Sequence, residues 1–176
     1  MKRDVNHEDI EILQSLGYNA SEIKDILDHN KAYTHTSFPE QYIYEIIKYN
    51  YNKVENRMKM SNGMELDIAI FDINTGIEYS SAYFHTKEKG LERDKRKKEF
   101  IESHGVRLIN IIEYRISKQS EEKVITIDDN TIEIYLTGRT KYLDNLVLEL
   151  SKMLGKELVI PEDIYYEAKK NMYKTL

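Results

Sequence analysis

Residues that could do metal and acid–base chemistry lie in and just after two neighbouring strand-like segments. Asp67 stands in the middle of one segment, Glu78 in the next, and His85 at the end of that one. A carboxylate within a strand is costly unless it faces solvent or binds something. Two carboxylates at a sheet edge suit Mg²⁺, which takes one or two of them and keeps its waters. A histidine, with an ordinary pKa near ~6.5, suits general acid–base work. The pattern predicts a magnesium site at Asp67 and Glu78.

Each of these residues also has a simpler explanation that the sequence leaves open. Asp67 and Glu78 are compatible with the solvent face of a sheet, and a single histidine is more often a surface residue than a catalyst. Asp94, early in the following helix, either polarises His85 or pairs with Lys98 four residues later. Glu40 completes a capping box with Ser37, which by itself explains its type.

A basic run follows these residues. Between Lys87 and Lys98 there are seven basic and three acidic residues, a charge of +4, so the other 164 residues carry −5 − 4 = −9. A local basic face on an acidic body can meet phosphate groups. The same run is also typical of a solvated helix face.

Hydrophobic periodicity divides the chain into three predicted segments. A helical hairpin and linker cover residues 1–36, a core covers 37–115, and an α+β extension packed on the core covers 116–176. In the hairpin, Gly17 ends the first helix and Ser21 caps the second.

The predicted core has the order helix, strand, strand, strand, helix, strand. Ser37-Phe38-Pro39-Glu40 opens its first helix, and Asn62-Gly63 is the strongest short signal for a β-hairpin. The apolar run Val106 to Ile112 is typical of a buried, often parallel, strand. We therefore predict an α/β (α+β) fold with a mixed sheet.

Composition excludes several classes of protein. The chain has 176 residues, of which 40% are hydrophobic and none is cysteine. The length favours one compact domain with small appendages, and the lack of cysteine excludes disulfides and thiolate zinc sites. No apolar run approaches the roughly 18 residues of a membrane span. We expect a cytoplasmic protein that uses neither zinc nor a membrane.

The motifs together resemble a nuclease family. They are Glu65-Leu66-Asp67, Ile77-Glu78-Tyr79-Ser80-Ser81-Ala82-Tyr83-Phe84-His85, Glu92-Arg93-Asp94 and Gly105-Val106-Arg107-Leu108-Ile109. This layout resembles the PD-(D/E)XK nuclease superfamily, and within it the very-short-patch-repair endonucleases and related phage homing nucleases that use an E…D…H…D set. The resemblance implies a restriction-endonuclease-like αβββαβ core.

The resemblance also implies roles for individual residues. Asp67 would bind Mg²⁺, His85 would be the general base, Asp94 would support His85 or a metal-held water, and Glu40 would hold the hydrated metal through water. The Tyr79 carbonyl would be a further ligand. The implied contacts to nucleic acid are aromatic wedges between bases and basic side chains on phosphates: Tyr83, Phe84, Lys87, Arg93, Arg96 and Lys97.

Two functions follow from these patterns. The first is a magnesium-dependent endonuclease that hydrolyses phosphodiester bonds of duplex DNA. The second is a catalytically inactive nuclease-fold protein that binds DNA or a protein partner, for example a phage-encoded inhibitor or regulator. The second is motivated by the acidic net charge and by Ser80, which stands where the superfamily's E-x-K motif has lysine.

Overall fold

The computed structural model describes residues 7–29, 31, 36–82, 88–137 and 143–176. Within them there are six α-helices and six β-strands. The helices are α1 (His7–Ser15), α2 (Ala20–Asp28), α3 (Phe38–Asn50), α4 (Glu88–Ser103), α5 (Leu143–Leu154) and α6 (Ile164–Lys174). The strands are β1 (Val54–Lys59), β2 (Glu65–Ile70), β3 (Thr75–Ser81), β4 (Arg107–Arg115), β5 (Lys123–Asp128) and β6 (Thr131–Leu136). No helix in these ranges has the length and apolar character needed to cross a membrane.

The chain divides into two compact units, and the boundary falls within α3. One unit comprises Met1–Ile46 and Ile160–Leu176, and the other comprises Ile47–Val159. The segments predicted from the sequence, with boundaries at residues 36 and 115, divide the chain differently and stay a prediction.

The first unit is helical. Its α6 is tied to α1 by the Tyr173 hydroxyl, which donates to Asp9 at 3.0 Å, and by the Lys169 ammonium, 3.1 Å from Glu8. Both helices of the predicted hairpin, α1 and α2, are confirmed. The prediction that Ser21 caps α2 is wrong.

Asn19, rather than Ser21, caps α2. The Asn19 side chain accepts a hydrogen bond from the Glu22 N–H at 2.9 Å, and the Glu22 carboxylate accepts one from the Asn19 N–H at 2.8 Å. This reciprocal capping box satisfies two orphan donors at once. Helix formation therefore begins at Ala20, and Ser21 lies inside the first turn.

The second unit contains a mixed six-stranded sheet in the order β1-β2-β3-β4-β6-β5. The first three strands pair antiparallel, β4 is parallel to both β3 and β6, and β5 returns antiparallel to β6. The predicted order helix, strand, strand, strand, helix, strand is confirmed from α3 to β4. The apolar run in β4 is explained by its central place between two parallel neighbours.

Two helices of the second unit cover opposite faces of this sheet. Ile101 of α4 packs against Ala69 and Leu108 on one face. Arg107 precedes Leu108 and so points to the other face, where it donates to the Met153 carbonyl of α5 at 3.0 Å. Of the residues in α4, only Ile101 is buried.

The hairpin predicted at Asn62-Gly63 is confirmed and brings β1 beside β2. Gly63 has φ +82°, a left-handed conformation that glycine adopts without penalty. The Met60 N–H closes the turn by donating to the Met64 carbonyl at 2.8 Å. Asp67 therefore lies on a central strand, between β1 and β3.

Candidate active site

The site begins where regular pairing between β2 and β3 ends. The paired positions run from Ile70↔Thr75 to Ile68↔Ile77, and the next positions would be Asp67 and Glu78. There, side chains replace the backbone ladder. The Asp67 N–H donates to the Glu78 carboxylate at 3.2 Å, and the Tyr79 N–H donates to the Asp67 carboxylate at 2.8 Å. The two carboxyl groups are thus fixed beside each other on one face of the sheet.

Lys97 adds a cation to this pair. Its ammonium lies 2.6 Å from Glu78 Oε1, and the two side chains are only 17% and 14% exposed. Lys97 belongs to α4 and lies one turn before Ile101, the residue that anchors the helix to the sheet. Residues four apart share a helix face, so the packing of Ile101 directs Lys97 to the carboxylates.

Burial dominates the electrostatics of the two carboxyl groups. It raises the pKa of Asp67, against the hydrogen bond from the Tyr79 N–H and the nearby Lys97 charge, which lower it. Burial and the neighbouring Asp67 charge raise the pKa of Glu78 to about 7, although Lys97 opposes this shift. Two adjacent carboxylates with one ammonium leave a negative charge that favours either a bound proton or a further cation.

The donor set fits a magnesium ion better than a closed metal cage. Asp67 and Glu78 supply two carboxylates, and Mg²⁺ is commonly held by one or two carboxylates with waters completing its shell. Among the described residues there is no group of three or more histidine, aspartate or glutamate side chains placed to hold a metal. A third carboxylate or imidazole ligand would have to come from the residues outside the described ranges.

The pairing of β1 with β2 is also interrupted beside Asp67. The register skips from Asn56↔Ile68 to Met58↔Leu66, and Arg57, opposite Asp67, has φ +55°. The left-handed conformation costs an L-residue roughly 1–2 kcal/mol. The Asn56 side chain compensates for part of the lost ladder by donating to the Asp67 carbonyl at 2.9 Å.

Arg57 is oriented by an ion pair with Glu65. Its Nε lies 3.1 Å from Glu65 Oε1, and the side chains are 32% and 37% exposed. Glu65 precedes Asp67 by two residues on β2, and its charge adds to the rise in the pKa of Asp67. Because Leu66 packs in the same cluster as Ala69, three residues later, the regular alternation of side chains is interrupted in this part of β2.

A second polar cluster lies on the opposite face, since Tyr79 follows Glu78 on β3. The Tyr79 hydroxyl donates to Glu113 Oε2 at 2.5 Å, and Arg115 Nε lies 2.6 Å from Glu113 Oε1. Burial, followed by the Glu113 charge, raises the pKa of Tyr79 well above its ordinary range. This cluster fixes Tyr79, whose main chain holds Asp67.

The other predicted site residues divide into three groups. Asp94 lies three residues before Lys97 on α4 and so faces the same side, whereas Arg93 and Arg96 are exposed. Glu40 is buried in the first unit, where its N–H donates to Ser37 Oγ at 3.3 Å, the bond expected of a capping serine. Four residues lie outside the described ranges: Tyr83, Phe84, His85 and Lys87.

Sequence reasoning missed two features in and beside the site. Lys97 was expected only as a phosphate contact, although Ile101, the lone β-branched residue of that helix, indicates which basic residues face the sheet. Nothing in the sequence marks Arg57, because a left-handed residue inside a strand has no composition signal when it is not glycine.

Comparison of the chain with protein-family models, curated proteins and solved structures gives no match.

Proposed function

We propose that this protein is a magnesium-dependent DNA endonuclease with a restriction-endonuclease-like core. The observation that carries the proposal is the juxtaposition of Asp67, Glu78 and Lys97 at the point where β2 and β3 separate. Metal-assisted hydrolysis of a phosphodiester uses a metal held by few protein ligands and a cation near the developing charge. These three side chains are of the types required for both tasks.

In this proposal, Asp67 and Glu78 hold the magnesium ion. A bound magnesium ion would lower the pKa of a coordinated water and neutralise charge on the phosphate. The Tyr79 N–H keeps the Asp67 carboxylate oriented by donating to it at 2.8 Å. Lys97 favours the ionised form of Glu78, the form that can bind a metal, since metal ligands must be deprotonated.

His85 has the role of general base in the same proposal. It would accept the proton of the attacking water, and Asp94 would polarise its ring. Support for a site there comes from the chain order: His85 follows β3 and precedes α4, the two elements that carry Glu78 and Lys97. The substrate is duplex DNA.

A plasmid assay tests this function. Supercoiled plasmid with Mg²⁺ should be nicked or linearised by the wild-type protein, and Asp67→Asn, Lys97→Met and His85→Ala should each lose most of this activity. Lys98→Met is the matched control, because Lys98 is the next residue of α4 and its ammonium lies 3.9 Å from Glu102 on the exposed side. Equal nicking by wild type, Asp67→Asn and Lys97→Met would contradict the proposal.

The second candidate is a catalytically inactive nuclease fold that binds DNA or a protein partner. The close ion pair of Lys97 with Glu78 favours it, because the ammonium already neutralises one carboxylate without a metal. Calorimetry with Mg²⁺ separates the two functions. The endonuclease should bind Mg²⁺ and lose binding in Asp67→Asn, whereas the inactive fold should show no heat of binding in either protein.

A further inference from the structure

A cavity of about 320 Å³ lies between the C-terminal half of α4 and the hairpin of β1 and β2. Known ligand pockets have volumes of roughly 300–1,000 Å³ and are lined mainly by apolar and aromatic side chains. Among the described residues that line this cavity there is no carboxylate, and most are apolar, including Met58, Met60, Phe71, Phe100, Ile101 and Val106. The cavity is therefore separate from the carboxylate pair and has the size and lining of a small-molecule site.

No permanently charged side chain of the described lining points into the cavity. Lys59 is the one such residue, and it lies between Met58 and Met60, which both pack against the buried cluster that contains Ile101. Neighbouring residues of an extended chain point to opposite sides, so the Lys59 side chain points away, and it is exposed. An ion in this cavity would lose its hydration without gaining a partner. The lining therefore favours an uncharged occupant.

The rings and thioethers of the lining favour an aromatic occupant. The rings of Phe100 and His104 form one wall, with their centroids 4.5 Å apart and their planes tilted by 47°. Such rings pack well against the edge or face of a further ring, and the Met58 and Met60 sulfur atoms make favourable contacts with ring edges. The volume is about twice the roughly 150 Å³ of an engineered cavity that takes up benzene, so two fused rings fit.

His104 supplies a hydrogen-bond acceptor at the opening. Its Nδ1 lies 2.8 Å from the Phe100 carbonyl, which can only accept. Nδ1 therefore carries the proton, and Nε2 of the neutral ring is left as an acceptor. No described residue donates to Nε2, and the exposed His104 lies where the cavity meets solvent. A ligand with one N–H or O–H group satisfies this acceptor.

We propose that the cavity between α4 and the hairpin of β1 and β2 binds a small uncharged aromatic molecule with one N–H or O–H donor, of about the size of indole. The ring system packs against Phe100, Met58 and Met60, and the donor faces His104 Nε2. Because Ile101 lines the same cavity and anchors α4 to the sheet, the bound molecule stabilises this helix. The inference does not rest on the proposed nuclease function.

Indole fluorescence tests this site directly, because the chain contains no tryptophan and indole can be excited beyond the tyrosine band. Titration of the full chain into indole should shift the emission to shorter wavelength in a saturable way. Indole should also raise the unfolding temperature, since it binds the folded state. Val106→Phe, which places a ring in the cavity, should abolish both effects. Lys59→Gln is the matched control and should bind indole like wild type.

Two comparisons test the hydrogen bond and the absence of charge. His104→Phe keeps the aromatic wall but removes the acceptor, so it should bind indole about tenfold more weakly. N-methylindole has no donor and should bind wild type and His104→Phe equally, at the weaker level. Indole-3-acetate carries a carboxylate and should bind wild type at least about tenfold more weakly than indole does.

The outcomes decide the inference without reference to cleavage. An emission shift that does not saturate, or one that persists in folded Val106→Phe, overturns it. Tighter binding of indole-3-acetate than of indole, or loss of indole binding in Lys59→Gln, overturns it as well. If Val106→Phe does not fold, equal binding of indole and N-methylindole to wild type overturns it by itself. None of these results bears on the nuclease proposal, because neither Asp67 nor Glu78 lines the cavity.

Discussion

At the scale of single residues, the site is made by side chains that take over hydrogen bonds of the sheet. Asp67 takes part in three such hydrogen bonds. Its N–H donates to the Glu78 carboxylate, its carbonyl accepts from the Asn56 side chain, and its carboxylate accepts from the Tyr79 N–H. A change at Asp67 therefore alters both the pair of carboxyl groups and the strand pairing. Substitutions that keep the shape of the side chain, such as amides for carboxylates, separate the two effects.

The first prediction concerns the pH dependence of stability. The pKa of Glu78 is raised to about 7 from an ordinary 4.5, so folding favours its protonated form. The resulting stability is complete below about pH 4.5 and is lost as the pH rises through about 7, and the shift corresponds to about 3 kcal/mol. Asp67, whose pKa is also raised, acts in the same direction.

Glu78→Gln imitates the protonated form and should flatten this dependence. Urea unfolding in EDTA at about pH 5 and about pH 8 should show a smaller loss for the variant than for wild type. Mg²⁺ added at the higher pH should restore stability to the wild type alone, since a bound cation replaces the proton. Parallel pH curves for the two proteins would show that Glu78 titrates normally.

The second prediction concerns Tyr79, whose hydroxyl donates to the buried Glu113. Tyr79→Phe removes one partner of a charged acceptor that is 7% exposed, so it should lower the free energy of unfolding by about 2 kcal/mol. Tyr135→Phe is the matched control. The Tyr135 hydroxyl donates to Glu133 at 2.6 Å on a partly exposed surface, where water replaces it, so the change should stay within about 0.5 kcal/mol. Equal losses in urea unfolding would mean that burial of Glu113 is not the deciding factor.

At the scale of elements, local patterns predicted which segments form helices and strands but not what each presents to its neighbours. The Asn62-Gly63 turn predicted the hairpin of β1 and β2, and the apolar run predicted β4 as a buried strand. Both predictions succeeded because turn residues and burial on both faces of a strand are visible in the sequence. The cap of α2 was misassigned because Asn19 and Ser21 are both good capping residues two positions apart. Glu22 determines which of the two caps the helix, because its carboxylate accepts a hydrogen bond from the Asn19 N–H.

The site itself depends on how α4 is rotated on the sheet, and the charge pattern of this helix does not predict that rotation. The helix is dominated by basic and acidic residues, and its one buried side chain, Ile101, decides its rotation on the sheet. That rotation places Lys97 on Glu78 and leaves Arg93 and Arg96 outside. A pairing between residues nineteen positions apart (97 − 78 = 19) has no local signal, so the sequence assigned all three to phosphate contacts.

The third prediction tests this anchoring. Ile101→Ala should lower the free energy of unfolding by about 2–3 kcal/mol, because it removes the contact of α4 with Leu66, Ala69 and Leu108. The lower part of the usual range applies because an open apolar cavity of about 320 Å³ already borders Ile101, so its neighbours can relax. Leu91→Ala, at a position of α4 that is 46% exposed, is the control and should change stability by less than about 0.5 kcal/mol. Urea unfolding measures both free energies. Equal losses in Ile101→Ala and Leu91→Ala would mean that Ile101 does not anchor the helix.

At the scale of the whole molecule, the charge distribution limits where the proposed DNA substrate could bind. The net charge is −5 with 26 basic and 31 acidic residues, so binding of a polyanion would have to rely on local cations. On α4, the ammonium groups of Lys95, Lys97 and Lys98 lie 3.9, 2.6 and 3.9 Å from carboxylates. Arg93 and Arg96 have no ion pair with any described residue, which leaves them available for phosphate.

The fourth prediction follows from this count of available cations. If Arg93 and Arg96 each neutralise one phosphate, the logarithm of the DNA association constant should fall with the logarithm of salt concentration with a slope of about −2. The double variant Arg93→Gln/Arg96→Gln should remove most of that slope. Anisotropy of a labelled duplex between about 50 and 200 mM NaCl measures it.

Lys152→Gln is the control for this measurement, because Lys152 lies on α5, which packs on the opposite face of the sheet. Its removal changes the net charge without touching the α4 face, so the slope should equal that of wild type. A double variant with an unchanged slope would identify the basic run as a solvated helix face. DNA binding would then have to use another surface. The salt slope therefore decides whether the charge asymmetry of this chain serves nucleic-acid recognition or only solvation.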